Sequence, residues 1–225
     1  MRHRFVQLIR TRFAPLANAA NAKAMAAYMK TDMPFFGIKT PQRRAIVKQV
    51  LKENPINSRA EYVAAIEALW DEPQREMKYA AVQVARSKNK FIAYASLPLY
   101  RRLIVEGAWW DFVDEVADHL VGRVLLLERA KTAPIMHRWI DDEKHMWLRR
   151  AAMLCQLKHK RETDEDMLFD FCLRRAHEKK FFIRKAIGWA LRQHAYTNPN
   201  AVRAFLTQHR ENFSNLTLRE AGKHL

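Results

Sequence analysis

The feature that most limits how this chain can fold is a short motif that recurs at a nearly fixed interval. The motif places a basic residue and a second basic, aromatic or acidic residue before a small or apolar pair, and it occurs at residues 43–46, 78–81, 149–152, 184–187 and 219–222. Its second residues lie at 44, 79, 150, 185 and 220, which gives intervals of 35, 71, 35 and 35. Because 71 is two periods, a further member is expected near position 114. Chance similarity in an Ala- and Arg-rich chain is the alternative, and the regular interval argues against it.

Each repeat is long enough for two helices and short turns. Val113, Val116, Ala117 and Leu120 follow the spacing of one helix face. Candidate helix breakers separate the segments, at Pro34, Gly37, Pro55, Pro73, Gly107, Pro134 and Pro199. A single helix pair cannot bury its apolar face, so neighbouring pairs must stack. The sequence therefore predicts an all-α fold, an α-solenoid with a concave basic face, formed by one domain over residues 1–225.

The charge of the chain indicates a polyanionic partner. The formal net charge is +16, while apolar residues make up 49% of the sequence, enough for a substantial core. Nucleic acid is the first candidate and an anionic membrane surface, bound by the basic first helix, is a distant second. No apolar run reaches 18 residues, so no transmembrane helix is expected. Phe5, Leu8, Ile9 and Phe13 give the first helix an apolar face.

The two cysteines favour a reduced, cytoplasmic compartment over a disulfide scaffold. Cys155 and His159 have the i, i+4 spacing of a metal pair, but no second matching pair exists. We therefore expect no metal and no cofactor.

Equivalent repeat positions lie side by side in a solenoid. The aligned row reads Arg44, Tyr79, Asp114, Arg150 and Lys185. Asp114 is unexpected in a row that faces DNA phosphates. One interpretation is structural: the carboxylate pairs with Arg150 and fixes the repeat junction. The other is chemical, because Trp110 lies one turn before Asp114 and Trp189 one turn after Lys185, so two indoles and a carboxylate would converge on one groove.

Further residues are candidates for contacts with the DNA backbone. Thr40, before Pro41, is predicted to be a helix N-cap whose neighbouring amides face a phosphate. The basic candidates, besides Arg44 and Lys185, are Arg43, Lys158, Lys160 and Arg192.

Several segments resemble AlkD-type DNA glycosylases across nearly the whole chain. They are GAWWDFVD at residues 107–114, WLRRAA at 147–152, KAIGWALR at 185–192, MAAYMK at 25–30 and FGIKTP at 36–41. The resemblance implies HEAT-like repeats and removal of N3- and N7-alkylated purines from DNA, without flipping of the base into a protein pocket. It also implies that Asp114 is the catalytic carboxylate, that Trp110 and Trp189 contact the lesion nucleotide, that Arg150 lies near the phosphates, and that Tyr28 borders the site.

The expected protein is a cytoplasmic, monomeric, monofunctional glycosylase that associates with the nucleoid when bound and acts on duplex DNA containing alkylated bases. Two other functions remain open from the residues. A non-catalytic repeat protein that binds damaged or structured DNA accounts equally well for charge and repeats. A protein-interaction solenoid accounts for the fold alone.

Overall fold

The computed structural model describes residues 3–225, and every regular element in that range is helical. The all-α prediction is confirmed, with repeat-like packing of the helices. The chain divides after Ile92 into two compact units. Unit 1 ends there and unit 2 begins at Ala93. No helix within residues 3–225 has the length and apolar character needed to cross a bilayer.

Four of the helices of unit 1 pack on one another. The helices of this unit are α1 (Arg4–Phe13), α2 (Ala19–Met29), α3 (Thr40–Glu53), α4 (Arg59–Trp70) and α5 (Arg75–Ser87). Helix α1 packs on α3 and α4, and α5 packs on both of these as well. The predicted apolar face of α1 is buried through Phe5, Ile9 and Phe13, together with Val6. The motif helices α3 and α5 are therefore direct neighbours, as the repeat predicts.

A buried carboxylate fixes the loop that leads into α3. Glu76 accepts hydrogen bonds from the backbone N–H groups of Phe36, Gly37 and Ile38 at 3.0, 2.8 and 3.1 Å. Gly37 has a φ of +85°, and a Cβ there would lie 2.0 Å from the carbonyl oxygen of Asn18. Only glycine fits this position.

Unit 2 continues the repeat with more helices. They are α6 (Leu97–Gly107), α7 (Trp110–Val116), α8 (Gly122–Leu127), α9 (Arg129–Ile140), α10 (Met146–Leu154), α11 (Glu165–Arg174), α12 (Phe181–Ala195), α13 (Pro199–Gln208) and α14 (Asn215–Ala221). Helices α7, α10, α12 and α14 carry the successive motif positions and pack in that order. The member expected near position 114 is therefore present on α7.

Local details differ from the sequence predictions. Helix α9 continues through Pro134, where the missing N–H removes one hydrogen bond one turn into the helix. Gly107 is the last residue of α6, and Pro199 is the first of α13. The N-cap prediction for Thr40 is wrong by one residue, since Lys39 is the N-cap and the helix begins at Thr40.

The face that begins at Val113 is buried as predicted but is not one regular α-helix. Val113, Val116, Ala117 and Leu120 are all fully buried. Helix α7 ends at Val116, and a π-helical turn, Ala117–Val121, leads into α8. Such turns add a residue within a continuous helical path.

Close approach of α12 and α14 depends on Gly188. A Cβ at this position would lie 2.5 Å from the Cβ of Glu220 and 2.9 Å from the carbonyl oxygen of Thr217. The backbone of α14 therefore has no room for a methyl group on α12.

We predict that Gly188→Ala lowers the free energy of unfolding by about 1–3 kcal/mol, the usual cost of overpacking. Thermal and urea denaturation measure the change. Gly222→Ala is the matched control, because a Cβ at Gly222 meets nothing within 4 Å. Equal stabilities of the two variants would contradict the close-packing argument.

Candidate functional site

An ion pair between two motif positions forms the centre of the candidate site. Arg150 Nε donates to Asp114 Oδ1 at 2.7 Å, and Arg150 Nη2 donates to Asp114 Oδ2 at 2.8 Å. The two side chains are 6% and 15% exposed. This bidentate geometry is the strong form of an arginine–carboxylate contact. It joins α7 to α10 at the junction that the repeat alignment indicates.

A third contact of Arg150 reaches α12. Its Nη1 donates to the carbonyl oxygen of Phe182 at 2.6 Å, and its guanidinium lies 5.7 Å from the centre of the Phe182 ring. All three nitrogens of the guanidinium are therefore engaged. Arg150 cannot rotate without breaking contacts with two helices, so the orientation of the Asp114 carboxylate is fixed.

The pKa of Asp114 is raised above its ordinary value. Burial is the largest cause, because it disfavours the charged form, and the nearby carboxylates of Asp111 and Glu115 act in the same direction. The hydrogen bonds and positive charge of Arg150 oppose the shift. A carboxylate with a perturbed pKa beside a specific partner is a feature of functional sites.

The two predicted tryptophans are half-buried. Trp110 is the first residue of α7, one turn before Asp114, and Trp189 lies in the middle of α12 after Gly188. Arg150 contacts both of these helices, through Asp114 on α7 and Phe182 on α12.

An aromatic cluster beside the ion pair was not predicted. Phe182 lies 5.5 Å from Trp109 and 5.0 Å from Trp147, measured between ring centres, and the two indoles are 5.9 Å apart. The repeat alignment could have indicated that two of these aromatic residues lie together. Trp147 precedes Arg150 by three residues, and Phe182 precedes Lys185 by three, so they occupy equivalent positions in neighbouring repeats.

Two predicted DNA-binding cations, Lys185 and Arg192, share a carboxylate partner. Lys185 Nζ and Arg192 Nη1 each lie 2.9 Å from an oxygen of Glu220, which is 6% exposed. Lys223 Nζ also contacts Glu220 at 2.9 Å. Hydrogen bonds from Lys223 and Lys185 lower the pKa of Glu220 to about 2. Glu220 occupies the next motif position after Lys185, so a second acid–base pair joins adjacent motif positions two junctions after the Asp114–Arg150 pair.

The other predicted cations of unit 2 differ from each other. Lys158 Nζ pairs with Asp118 at 2.8 Å, beside the ring of His119. Lys160 is exposed and has a φ of +53°. Lys158 is therefore partly neutralised, whereas Lys160 extends into solvent.

The predicted residues of unit 1 lie in different environments. Arg43 is buried, with its guanidinium 4.6 Å from the centre of the Tyr79 ring. Thr40 and Arg44 are exposed, and Tyr28 is 74% exposed on α2, a helix without a fully buried residue.

A cationic groove lies between α3 and α5, and we call it the α3–α5 groove. It is lined by Arg44, Ala45, Lys48, Leu51, Lys52, Gln83, Ser87 and Lys88. The lining contains four cations and no carboxylate. Within residues 3–225 none of these cations forms a salt bridge, which distinguishes them from Arg150, Lys158, Lys185 and Arg192. Such a surface suits a chain of phosphates.

No group of three or more potential metal-ligating His, Cys, Asp or Glu side chains occurs in the described part of the chain. Cys155 and Cys172 are buried and unbridged. Burial raises the pKa of the Cys155 thiol to about 12.

Comparison with known proteins gives the chain a family. It matches the family model described as DNA alkylation repair enzyme over residues 9–225. It is also similar to a solved structure from Enterococcus faecalis described as a predicted DNA alkylation repair enzyme. The two share 32% identity with a TM-score of 0.85, over 93% of this chain and 96% of that one. None of the curated proteins matches the chain. The chain therefore belongs to the family of DNA alkylation repair enzymes.

Proposed function

We propose that this protein is a monofunctional DNA glycosylase that hydrolyses the N-glycosidic bond of cationic alkylated purines, such as 3-methyladenine and 7-methylguanine, in duplex DNA. The observation that carries the proposal is the buried Asp114 carboxylate, held in one orientation by Arg150 on a strongly basic chain. Membership of the alkylation-repair family supports a repair role.

The chemistry of a charged base requires few protein groups. Cleavage of a glycosidic bond builds positive charge on the sugar, as in an oxocarbenium ion. A purine alkylated at N3 or N7 already carries a positive charge, so it leaves as a neutral molecule without a general acid. The remaining needs are a negative group beside the anomeric carbon and a positioned water.

Asp114 meets both needs. Its carboxylate stabilises the positive charge that develops on the sugar and orients, or deprotonates, the attacking water. Each carboxylate oxygen uses one lone-pair direction towards Arg150, and the other directions remain for water or sugar.

Arg150 acts through Asp114 in this proposal. Its nitrogens are occupied by Asp114 and Phe182 and its side chain is 6% exposed. We therefore assign it to positioning of the carboxylate, rather than to the phosphate contact that the family resemblance implies. Trp110 and Trp189 present π-faces to the sugar and limit access of bulk water.

In this proposal, the α3–α5 groove binds the DNA backbone. Backbone phosphates of the duplex bind its four cations. The four cations in the lining, with no carboxylate among them, favour phosphates as the ligand of this groove.

We predict that Asp114→Asn lowers the single-turnover release of 7-methylguanine by about 100-fold or more, because it removes the electrostatic stabilisation of the transition state. Chromatography of the released bases measures the rate. Glu115→Gln, which removes a neighbouring carboxylate of the same helix, is the control and should retain activity.

Duplex DNA containing uracil should not be processed, since a neutral base leaves poorly without a proton donor. The DNA product should contain an abasic site and no nick. Normal turnover by Asp114→Asn would exclude the proposed mechanism, and DNA binding by the parent without base release would favour the non-catalytic alternative.

The pH dependence of the rate should report the pKa of Asp114. The reactive form is the carboxylate, so the rate falls as the pH is lowered through a pKa that lies above the ordinary aspartate value. Arg150→Gln removes the charge that lowers this pKa, so we predict that the acid limb moves to higher pH. Rates measured from pH 5 to 9, corrected for spontaneous depurination, test the direction. An unchanged or lower acid limb would contradict the role of Arg150.

We predict that combined Lys48→Gln, Lys52→Gln and Lys88→Gln reduces the slope of log K against log salt by about 2 to 3, because each phosphate contact contributes about 0.9. Fluorescence anisotropy with undamaged duplex measures the slope. Lys48→Gln alone should change it by about 0.9. Lys131→Gln, an exposed cation paired with Glu128, is the control. A slope unchanged in the triple variant would remove the groove from the interface.

A further inference from the structure

A buried carboxylate on α14 holds two cations of α12 and has no role in the proposed chemistry. Glu220 contacts Lys185 Nζ through Oε1 and Arg192 Nη1 through Oε2, each at 2.9 Å, and its side chain is 6% exposed. The two helices already pack closely at Gly188. Burying a charge costs free energy that apolar packing at the same place would not. The position of the two cations therefore needs another explanation.

The two cations flank the tryptophan of the candidate site. Lys185 precedes Trp189 by four residues and Arg192 follows it by three, so these residues share one face of α12. Phe182, whose carbonyl oxygen accepts from Arg150, precedes Lys185 by three residues. At 1.5 Å per residue, the backbone of Lys185 lies about 5 Å along the helix axis from this anchor. The charge of Lys185 is therefore close to the centre of the candidate site.

An uncompensated cation at this position would oppose the proposed reaction. The base is cationic before cleavage, and positive charge develops on the sugar during cleavage. At a separation of about 10 Å and an effective dielectric constant of about 20, repulsion between two unit charges slows a reaction about 10-fold. Glu220 offsets this repulsion while it is ionised. Hydrogen bonds from Lys223 and Lys185 lower its pKa to about 2, so it is ionised at neutral pH.

We infer that Glu220 is a positioning residue that neutralises Lys185 and Arg192 and holds them against α14, so that the surface beside Trp189 accepts a sugar and base that carry positive charge. The inference rests on the proposed function for the identity of the substrate. Glu220 acts through the two cations and does not touch the reacting atoms. Its contribution is to the preference for cationic lesions, which the arrangement around Asp114 alone does not include.

Single-turnover release of 7-methylguanine measures this contribution. Glu220→Gln keeps the size of the side chain and removes its charge, so release should slow about 10-fold. Adding Lys185→Gln to Glu220→Gln removes an uncompensated cation, so the double variant should regain most of the parental rate. A carboxylate that only held α12 against α14 would give no recovery, because the double variant has fewer contacts between the helices than the single variant.

Binding to undamaged duplex separates the charge effect from misfolding. Two cations lose their carboxylate in Glu220→Gln, so its affinity, measured by fluorescence anisotropy, should equal or exceed that of the parent although its release of base is slower. Glu211→Gln is the matched control, since it removes the charge of an exposed glutamate in the same unit, and it should change neither measurement. Both assays are run at a temperature at which circular dichroism shows every variant folded.

Several outcomes would overturn the role of Glu220. They are parental release of 7-methylguanine by Glu220→Gln, a double variant no faster than Glu220→Gln, and weaker binding of undamaged duplex by Glu220→Gln. Absence of base release by the parent would reject the proposed function and this role with it. Release by the parent together with an unaffected Glu220→Gln would reject the role of Glu220 alone.

Discussion

The structure of the candidate site depends on the buried pair formed by Asp114 and Arg150. Removing two charges from water costs several kcal/mol per ion, and their attraction regains this only with good geometry. An apolar pair of similar volume would hold α7 against α10 equally well. The pair is therefore poorly explained by stability alone. The proposed chemistry gives a reason for a fixed, largely buried carboxylate at this position, and its loss would leave an uncompensated guanidinium between three helices.

Cations have two different roles in this chain. In unit 2, Lys158, Lys185 and Arg192 are bound to carboxylates, so they hold helices together and present a reduced charge to a ligand. In unit 1, the cations of the α3–α5 groove form no salt bridge within the described residues, although the charge of Lys52 contributes to lowering the pKa of Glu53. A net charge of +16 attracts DNA from a distance, but the unpaired cations are those that release counterions when phosphates bind.

The repeat interval predicted the packing order of the motif helices and the contact between Asp114 and Arg150, because equivalent positions on stacked helices must be neighbours. It did not predict contacts made by groups that the row from Arg44 to Lys185 leaves out. Glu220, at the next position of the same motif, pairs with both Lys185 and Arg192. Phe182 binds Arg150 through a backbone carbonyl, which no side-chain pattern reveals. The π-helical turn after Val116 and the continuation of α9 through Pro134 depend on tertiary packing that local propensity does not describe.

In the proposed mechanism, the guanidinium beside Asp114 also limits which bases can leave. Arginine remains protonated and is not a general acid at neutral pH, so Arg150 does not supply the proton that a neutral purine would require. The raised pKa of Asp114 has a related consequence, since the carboxylate must lose its proton before it can stabilise a cationic sugar. Once ionised, it is held by Arg150 and is poorly solvated, so a positive charge developing nearby is stabilised more strongly than in water. In this proposal, selectivity for bases that are already cationic follows from Arg150, which does not donate a proton, and from Asp114, whose carboxylate stabilises positive charge on the sugar.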